Sequence, residues 1–186
     1  MIIYLHGFNS SPQSHKAQVM QRYMEARGLG EQFICPALPH RPREAIRLLE
    51  VAIAQHPGAT LVGSSLGGFY STWLAERHRL KAVLVNPAVH PEAGLESYLG
   101  PQRNLHSGAE YELTREHLDE WRALIVETIH PARYLLLVET GDEVLDYREA
   151  VRKYAGARQV VVVGGDHSLQ SFPDHLPLIL EFAGCA

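Results

Sequence analysis

The chain has 186 residues, of which 46% are hydrophobic and 20% charged, and it carries a formal net charge of −4 at pH 7. That length suits a single domain, 1–186, able to bury about 70% of the surface that its unfolded chain exposes. The acidic balance, with no basic stripe interleaved with aromatics, excludes nucleic acid as a partner, and no apolar run nears the roughly 20 residues that span a bilayer.

In chain order, Ile2-Ile3-Tyr4-Leu5 reads as a short strand, without the basic flank or apolar length of a signal peptide. With only Cys35 and Cys185 there is no disulfide framework, and a cytoplasmic location is expected. His6 to Pro12 breaks the strand, and Ser10 or Ser11 can cap a helix with Pro12 in its first turn. That helix is expected to reach about Arg27 and stop at Gly28. Phe33-Ile34-Cys35 is a second strand, and 44–55 shows apolar residues at helical spacing. A third strand runs from near Ala59 into Leu61-Val62-Gly63-Ser64-Ser65-Leu66-Gly67-Gly68-Phe69, after which a helix reaches about His78.

Ala82-Val83-Leu84-Val85 is a fourth strand, closed by Asn86-Pro87. Residues 88–131 are rich in proline and glycine and hold one clear helix, capped by Thr114, with Leu118, Trp121 and Ile125 on one face. We read this stretch as a small cap-like insertion over the end of the sheet, its three apolar residues gluing the helix to the core. Tyr134 to Val138 is a fifth strand, followed by a helix over about 145–154; Val160 to Val163 is a sixth, and a last helix covers about 175–182. Six mostly continuous apolar strands alternating with helices predict a three-layer α/β fold with a mostly parallel sheet covered on both faces. Sites in such sheets form beyond the carboxyl ends of the strands.

The segment Gly63-x-Ser65-x-Gly67 has the form of a nucleophile elbow, a sharp strand-to-helix turn that lifts one serine clear of the sheet. The spacing selects Ser65 over Ser64. As a pattern it is common in ordinary turns, but here the strand before it and the helix after it are both legible. A serine hydroxyl needs a base, and the base a carboxylate to orient it. After an elbow these follow in the order serine, acid, histidine. Past the fifth strand lie Glu139, Asp142, Glu143 and Asp146, and past the sixth comes Gly164-Gly165-Asp166-His167. His167 is the candidate base, the other ten histidines reading as surface or structural. Asp142 is favoured as the acid because it follows the loop glycine Gly141 and precedes the apolar start of a helix, with the other three left open. Asp166 reads as a loop-stabilising residue. The backbone N–H of Leu66, and one from His6-Gly7-Phe8, most naturally that of Phe8, are the candidate oxyanion donors. His6 itself reads as a buried residue holding its loop. Tyr98 and Tyr111, in glycine-flanked sequence, are candidates to line the substrate pocket.

Together, Tyr4 to Pro12, Val62 to Phe69, Val85 to Val89, Thr140 to Tyr147 and Gly164 to His167 resemble the YqiA-type esterases, small bacterial members of the α/β-hydrolase superfamily. The resemblance implies an α/β-hydrolase fold and a serine esterase acting on acyl esters, acyl-CoA thioesters among them, through an acyl-enzyme and without metal or cofactor. It also implies Ser65, Asp142 and His167 as nucleophile, acid and base, and a small-molecule substrate as the partner. Residues 93–128 match the family less well, so substrate preference does not carry over. Two other readings use the same residues: a hydrolase-like scaffold kept for binding, and a lactonase or peptidase. Metal hydrolysis lacks a His-Glu-x-x-His spacing, and neither cysteine lies in an elbow. Acyl length, leaving group and oligomeric state are not encoded legibly.

Overall fold

The computed structural model describes residues 1–185. Strand β1 (Ile2–Leu5) leads to helix α1 (His15–Glu25), strand β2 (Phe33–Ile34) and helix α2 (Pro42–Gln55). Then come β3 (Thr60–Ser64), α3 (Leu66–His78), β4 (Ala82–Val85) and the single turn α4 (Pro91–Gly94). Strands β5 (Gly100–Arg103) and β6 (Glu110–Leu113) precede α5 (Arg115–Arg122), and β7 (Tyr134–Glu139), α6 (Tyr147–Lys153), β8 (Arg158–Val162) and α7 (Phe172–Ala183) complete the chain.

Six strands form one sheet in the order β2-β1-β3-β4-β7-β8, with every neighbouring pair parallel. From β1 the chain goes outward to β2, then returns past β1 to lay down the other four. Loops leaving β1 and β3 therefore diverge, and they open a crevice at the carboxyl ends of the strands. The two faces carry separate cores. Ile2, Tyr4, Val62, Val83 and Leu135 pack against α1 and α7 through Met20, Met24, Leu176 and Ile179. On the other face Ile3, Leu5, Leu61, Leu84 and Leu136 meet α2, α3 and α5 through Leu49, Tyr70, Leu74 and Trp121. Strand residues buried alternately to both faces explain the continuous apolar runs.

Several boundaries differ from the sequence reading, for identifiable reasons. Helix α1 begins at His15, not at Ser11 or Pro12, because Ser11 closes a turn by accepting the Ser14 N–H at 3.0 Å. The last helix begins earlier than expected, at Phe172, with Pro173 in its first turn. The valine run of β8 lies at a sheet edge, where Val161 and Val163 are exposed, so continuous hydrophobicity there does not report two covered faces.

Within residues 88–131 the helix α5 forms where expected but stops at Arg122, because the N–H groups of Leu124 and Ile125 turn back to Trp121 and Arg122 in tighter bonds, so Ile125 lies beyond the helix and not on its apolar face. Thr114 and His117 complete a capping box, Leu118 and Trp121 are buried, and the Trp121 indole donates to the Tyr70 hydroxyl at 2.8 Å. The antiparallel hairpin β5–β6 has no counterpart in the sequence reading. Its strands have four residues each and are largely polar, too short for a two-residue period to stand out.

Candidate active site

Ser65 sits between β3 and α3 with φ +54° and ψ −120°, a conformation that an L-residue adopts only under strain. The surroundings impose it. A β-carbon on Gly63 would overlap the Gly67 carbonyl and the Ser71 hydroxyl, and one on Gly67 would overlap the carbonyls of Leu5 and His6. With bare glycines two residues before and two after, strand and helix close on each other and Ser65 is turned outward. Ser64 stays within β3, buried.

The His167 imidazole faces Ser65, with Nε2 3.1 Å from Oγ. On its other edge Nδ1 lies 2.9 Å and 3.0 Å from the two carboxylate oxygens of Asp142. A carboxylate can only accept, so Nδ1 carries a proton, and in the neutral imidazole Nε2 then has its lone pair toward the serine. The Asp142 side chain is 1% exposed and Oδ1 also accepts the N–H groups of Val144 and Leu145, at 2.9 Å and 2.8 Å. Burial pushes its carboxyl up, but the bonds from His167 and the two N–H groups outweigh that and hold it below the usual carboxylate range.

The other three acids near this loop do different work. Glu143 accepts the His167 backbone N–H at 3.0 Å. Asp146 caps α6 by accepting the Arg148 N–H at 3.0 Å. Glu139, 1% exposed, takes the N–H groups of Asp166, Gln170 and Ser171 and the Ser171 hydroxyl, all between 2.6 Å and 3.0 Å. Burial opposes its charge, yet these bonds prevail and its pKa lies below the ordinary value. Gly165, at φ +70°, passes so close to the Glu139 carboxylate that any β-carbon would collide with it.

In the sequence Asn86 reads only as the end of a strand. Buried, with φ +39°, it donates through Nδ2 to the carbonyls of Asp166 and His167 at 3.0 Å and 3.2 Å, and accepts the Glu139 N–H at 3.1 Å. It therefore ties the histidine loop to the end of β4. An asparagine directly after a strand, tolerant of left-handed backbone, is the signal that marks it.

The loop after β1 passes against the elbow, since a β-carbon on Gly7 would lie 3.3 Å from the Ser65 β-carbon. His6 is buried, its Nε2 accepting the Leu38 N–H and its Nδ1 donating to the Gly7 carbonyl, both at 3.0 Å. That pair of bonds fixes the neutral tautomer, and burial accordingly lowers the pKa. The N–H groups of Phe8 and Leu66 border the same space and meet no acceptor among the described residues.

A cavity of about 760 Å³ opens over Ser65 and His167, within the size range of small-molecule sites. Tyr98 lines it, 51% exposed and edge-on to Phe8 at 6.2 Å between ring centres. Tyr111 lies elsewhere. It borders a neighbouring cavity of about 190 Å³, stacks on His40 at 4.3 Å, and donates its hydroxyl to Asn9 Oδ1 at 2.7 Å. Asn9, at φ +50°, also donates through Nδ2 to Gln102 at 3.1 Å, and Asn104 donates to the Ser10 carbonyl at 2.8 Å. With the Leu105 N–H donating to the Asn9 carbonyl at 3.2 Å, four hydrogen bonds join the hairpin to the segment that follows Phe8. Among the described residues no group of three or more His, Cys, Asp or Glu is placed to hold a metal ion, and no helix is long and apolar enough to cross a membrane.

Known structures share this arrangement of strands and helices. A monoacylglycerol lipase of Paleococcus ferrophilus superposes with a TM-score of 0.69 at 15% identity, over 100% of this chain and 94% of that one. The mouse alpha/beta hydrolase domain-containing protein 10 gives 0.70 at 15% identity, over 97% and 87%. The fold is accordingly that of the α/β hydrolases. A UPF0227 protein of Vibrio cholerae serotype O1 is 27% identical over 189 aligned positions, 98% of both chains. The model of the Uncharacterised protein family (UPF0227), the YqiA family, matches residues 1–184, and the chain belongs to that family.

Proposed function

We propose that this protein is a serine hydrolase of acyl esters, thioesters included, working through an acyl-enzyme on Ser65. The observation that carries the reading is the unbroken relay from Ser65 Oγ through His167, at 3.1 Å, to Asp142, at 2.9 Å, on the floor of an open cavity. Ser65 Oγ attacks the acyl carbon while His167 Nε2 takes its proton, and Asp142 stabilises the imidazolium that forms. The carbonyl oxygen becomes an oxyanion, which the free N–H groups of Leu66 and Phe8 receive. Collapse expels the alcohol or thiol with the proton from Nε2. Water, deprotonated by the same nitrogen, then releases the acid.

The residues 88–131 serve in this reading as a cap within a single domain, with Tyr98 contributing a wall of the acyl site. Support also comes from structural neighbours that include a lipase, although what they act on is a property of those proteins. The test is hydrolysis of 4-nitrophenyl butyrate by the wild type and by Ser65→Ala. Removing the nucleophile leaves binding and oxyanion stabilisation alone, so kcat falls by about 10³-fold or more. Comparable turnover by both proteins contradicts the reading, and absence of turnover with any ester favours a binding scaffold.

A further inference from the structure

The cavity over Ser65 is lined by unlike groups. Leu66, Leu95, Tyr98, Leu105, Val144 and Leu145 are apolar contributions. Tyr4 of β1, Ser14, His15 and Lys16 at the start of α1, and Ser168 beside the histidine bring polar ones. No Asp or Glu lines the cavity, although the chain has 21 acidic residues against 17 basic ones.

Lys16 gives one N–H to the Ser168 carbonyl at 2.9 Å and joins no ion pair among the described residues, so two of its three donors are uncommitted. The acids near enough to attract it, Asp166, Asp142 and Glu139, are already engaged. Asp142 and Glu139 bind the groups described above, and Asp166 accepts from Ser168 and Gln170 at 2.8 Å and 2.7 Å. Burial acts on the Lys16 ammonium more strongly than these carboxylates do, and lowers its pKa.

Two further features belong to the same lining segments. Helix α1 has no side-chain cap and no acidic residue in its first turn, and the N–H groups of His15, Lys16 and Ala17 find no acceptor among the described residues. The Tyr4 hydroxyl is fully buried and has no partner there either. A cation in no direct ion pair, unfilled N–H groups and an unpaired hydroxyl make up the recognition chemistry of an anion.

We propose that these residues bind an anionic group, carboxylate or phosphate, on the leaving group of the substrate, with Lys16 as its principal contact. The inference rests on the hydrolase reading, which also decides the direction. His167 Nε2 must return its proton to the departing oxygen or sulfur, so the leaving group stands beside His167. Lys16 is bonded to the carbonyl of the very next residue, Ser168. The acyl chain then points the other way, toward Leu95, Tyr98 and Leu105.

The experiment compares monobutyryl esters of glycerol, glycerate and glycerol phosphate, which share an acyl group and differ in the charge of the alcohol. The wild type should prefer one of the two anionic esters over the neutral one by about tenfold or more in kcat/KM, the worth of a charged hydrogen bond. Whichever wins identifies the anion as carboxylate or phosphate. In Lys16→Gln the anionic-to-neutral ratio should fall to near unity, and in Lys16→Arg it should be largely retained. Rising salt should erode the wild-type preference. Equal use of all three esters by the wild type overturns the subsite while the hydrolase reading stands. An equal loss on all three in Lys16→Gln does the same, since it assigns Lys16 to support of the Ser168 loop. Hydrolysis of none of them overturns both.

Discussion

At the scale of single residues, the four carboxylates around His167 show how position and bonding separate chemically similar groups. Only Asp142 reaches Nδ1, because its loop is drawn back by its own bonds to the Val144 and Leu145 N–H groups. Loop position in the sequence narrows the acid to four residues and favours Asp142, but it holds nothing about the bonds that occupy the other three. Asp142→Asn should lower kcat by about 10³- to 10⁴-fold, since an amide lets imidazole adopt the wrong tautomer, as it does in a serine protease that loses its orienting aspartate. Glu143→Gln and Asp146→Asn should each stay within about tenfold of the wild type, because a lost backbone bond or helix cap is worth only ~1 kcal/mol. Steady-state kinetics of the three variants on one ester decides this, and retention of most activity by Asp142→Asn contradicts it. The same relay requires a neutral imidazole, so kcat/KM should fall on the acid side of the profile. A rate undiminished across the acid limb of the profile contradicts His167 as base.

At the scale of elements, the site is assembled from ends: β1 supplies the Phe8 loop, β3 the elbow, β7 the acid and β8 the histidine. Those are legible because each strand, the exposed edge strand β8 included, leaves an apolar run and is followed closely by a Gly, Asn or Pro. The hairpin β5–β6 is not, since Gly100–Arg103 and Glu110–Leu113 bury little and their bonds to Asn9 and Ser10 reach far away in sequence. Two tyrosines of the 88–131 stretch, Tyr98 before the hairpin and Tyr111 within it, divide the labour. Tyr98 borders the cavity of Ser65, whereas Tyr111 holds Asn9, one residue beyond Phe8. Tyr98→Ala should change the preference between short and long acyl chains, by roughly tenfold or more where a methylene contact is lost. Tyr111→Phe removes one hydrogen bond of about 0.5–1.5 kcal/mol, so it should lower kcat roughly two- to tenfold with KM little altered, through a looser oxyanion donor. A chain-length series on both variants separates the roles, and a shifted chain preference in Tyr111→Phe with kcat intact contradicts this assignment.

At the scale of the whole molecule, the parallel sheet and its two apolar faces follow from the sequence pattern, and the crevice follows from the reversal of strand order between β1 and β3. What pattern alone does not supply is the polar brace beneath the histidine loop, where Glu139 and Asn86 lie buried and fully bonded. That brace links folding to pH. Glu139 has a lower pKa folded than unfolded, so its contribution is complete above the unfolded value, about 4.3, and is lost as pH falls through the folded one. Urea denaturation at pH 7 and near pH 3, well below the unfolded value, should show the wild type losing stability on acidification. Glu139→Gln should start ~1–3 kcal/mol less stable at pH 7, with donors left facing an amide, and lose less between the two conditions. Parallel losses in both proteins contradict the brace. The central claim, that Ser65 is the nucleophile, is tested most directly by a fluorophosphonate probe followed by peptide mass spectrometry. A single adduct on Ser65 is expected, with Ser64 unmodified and labelling abolished in Ser65→Ala and strongly slowed in His167→Ala. An adduct on another residue, or labelling of Ser65→Ala at the wild-type rate, contradicts it.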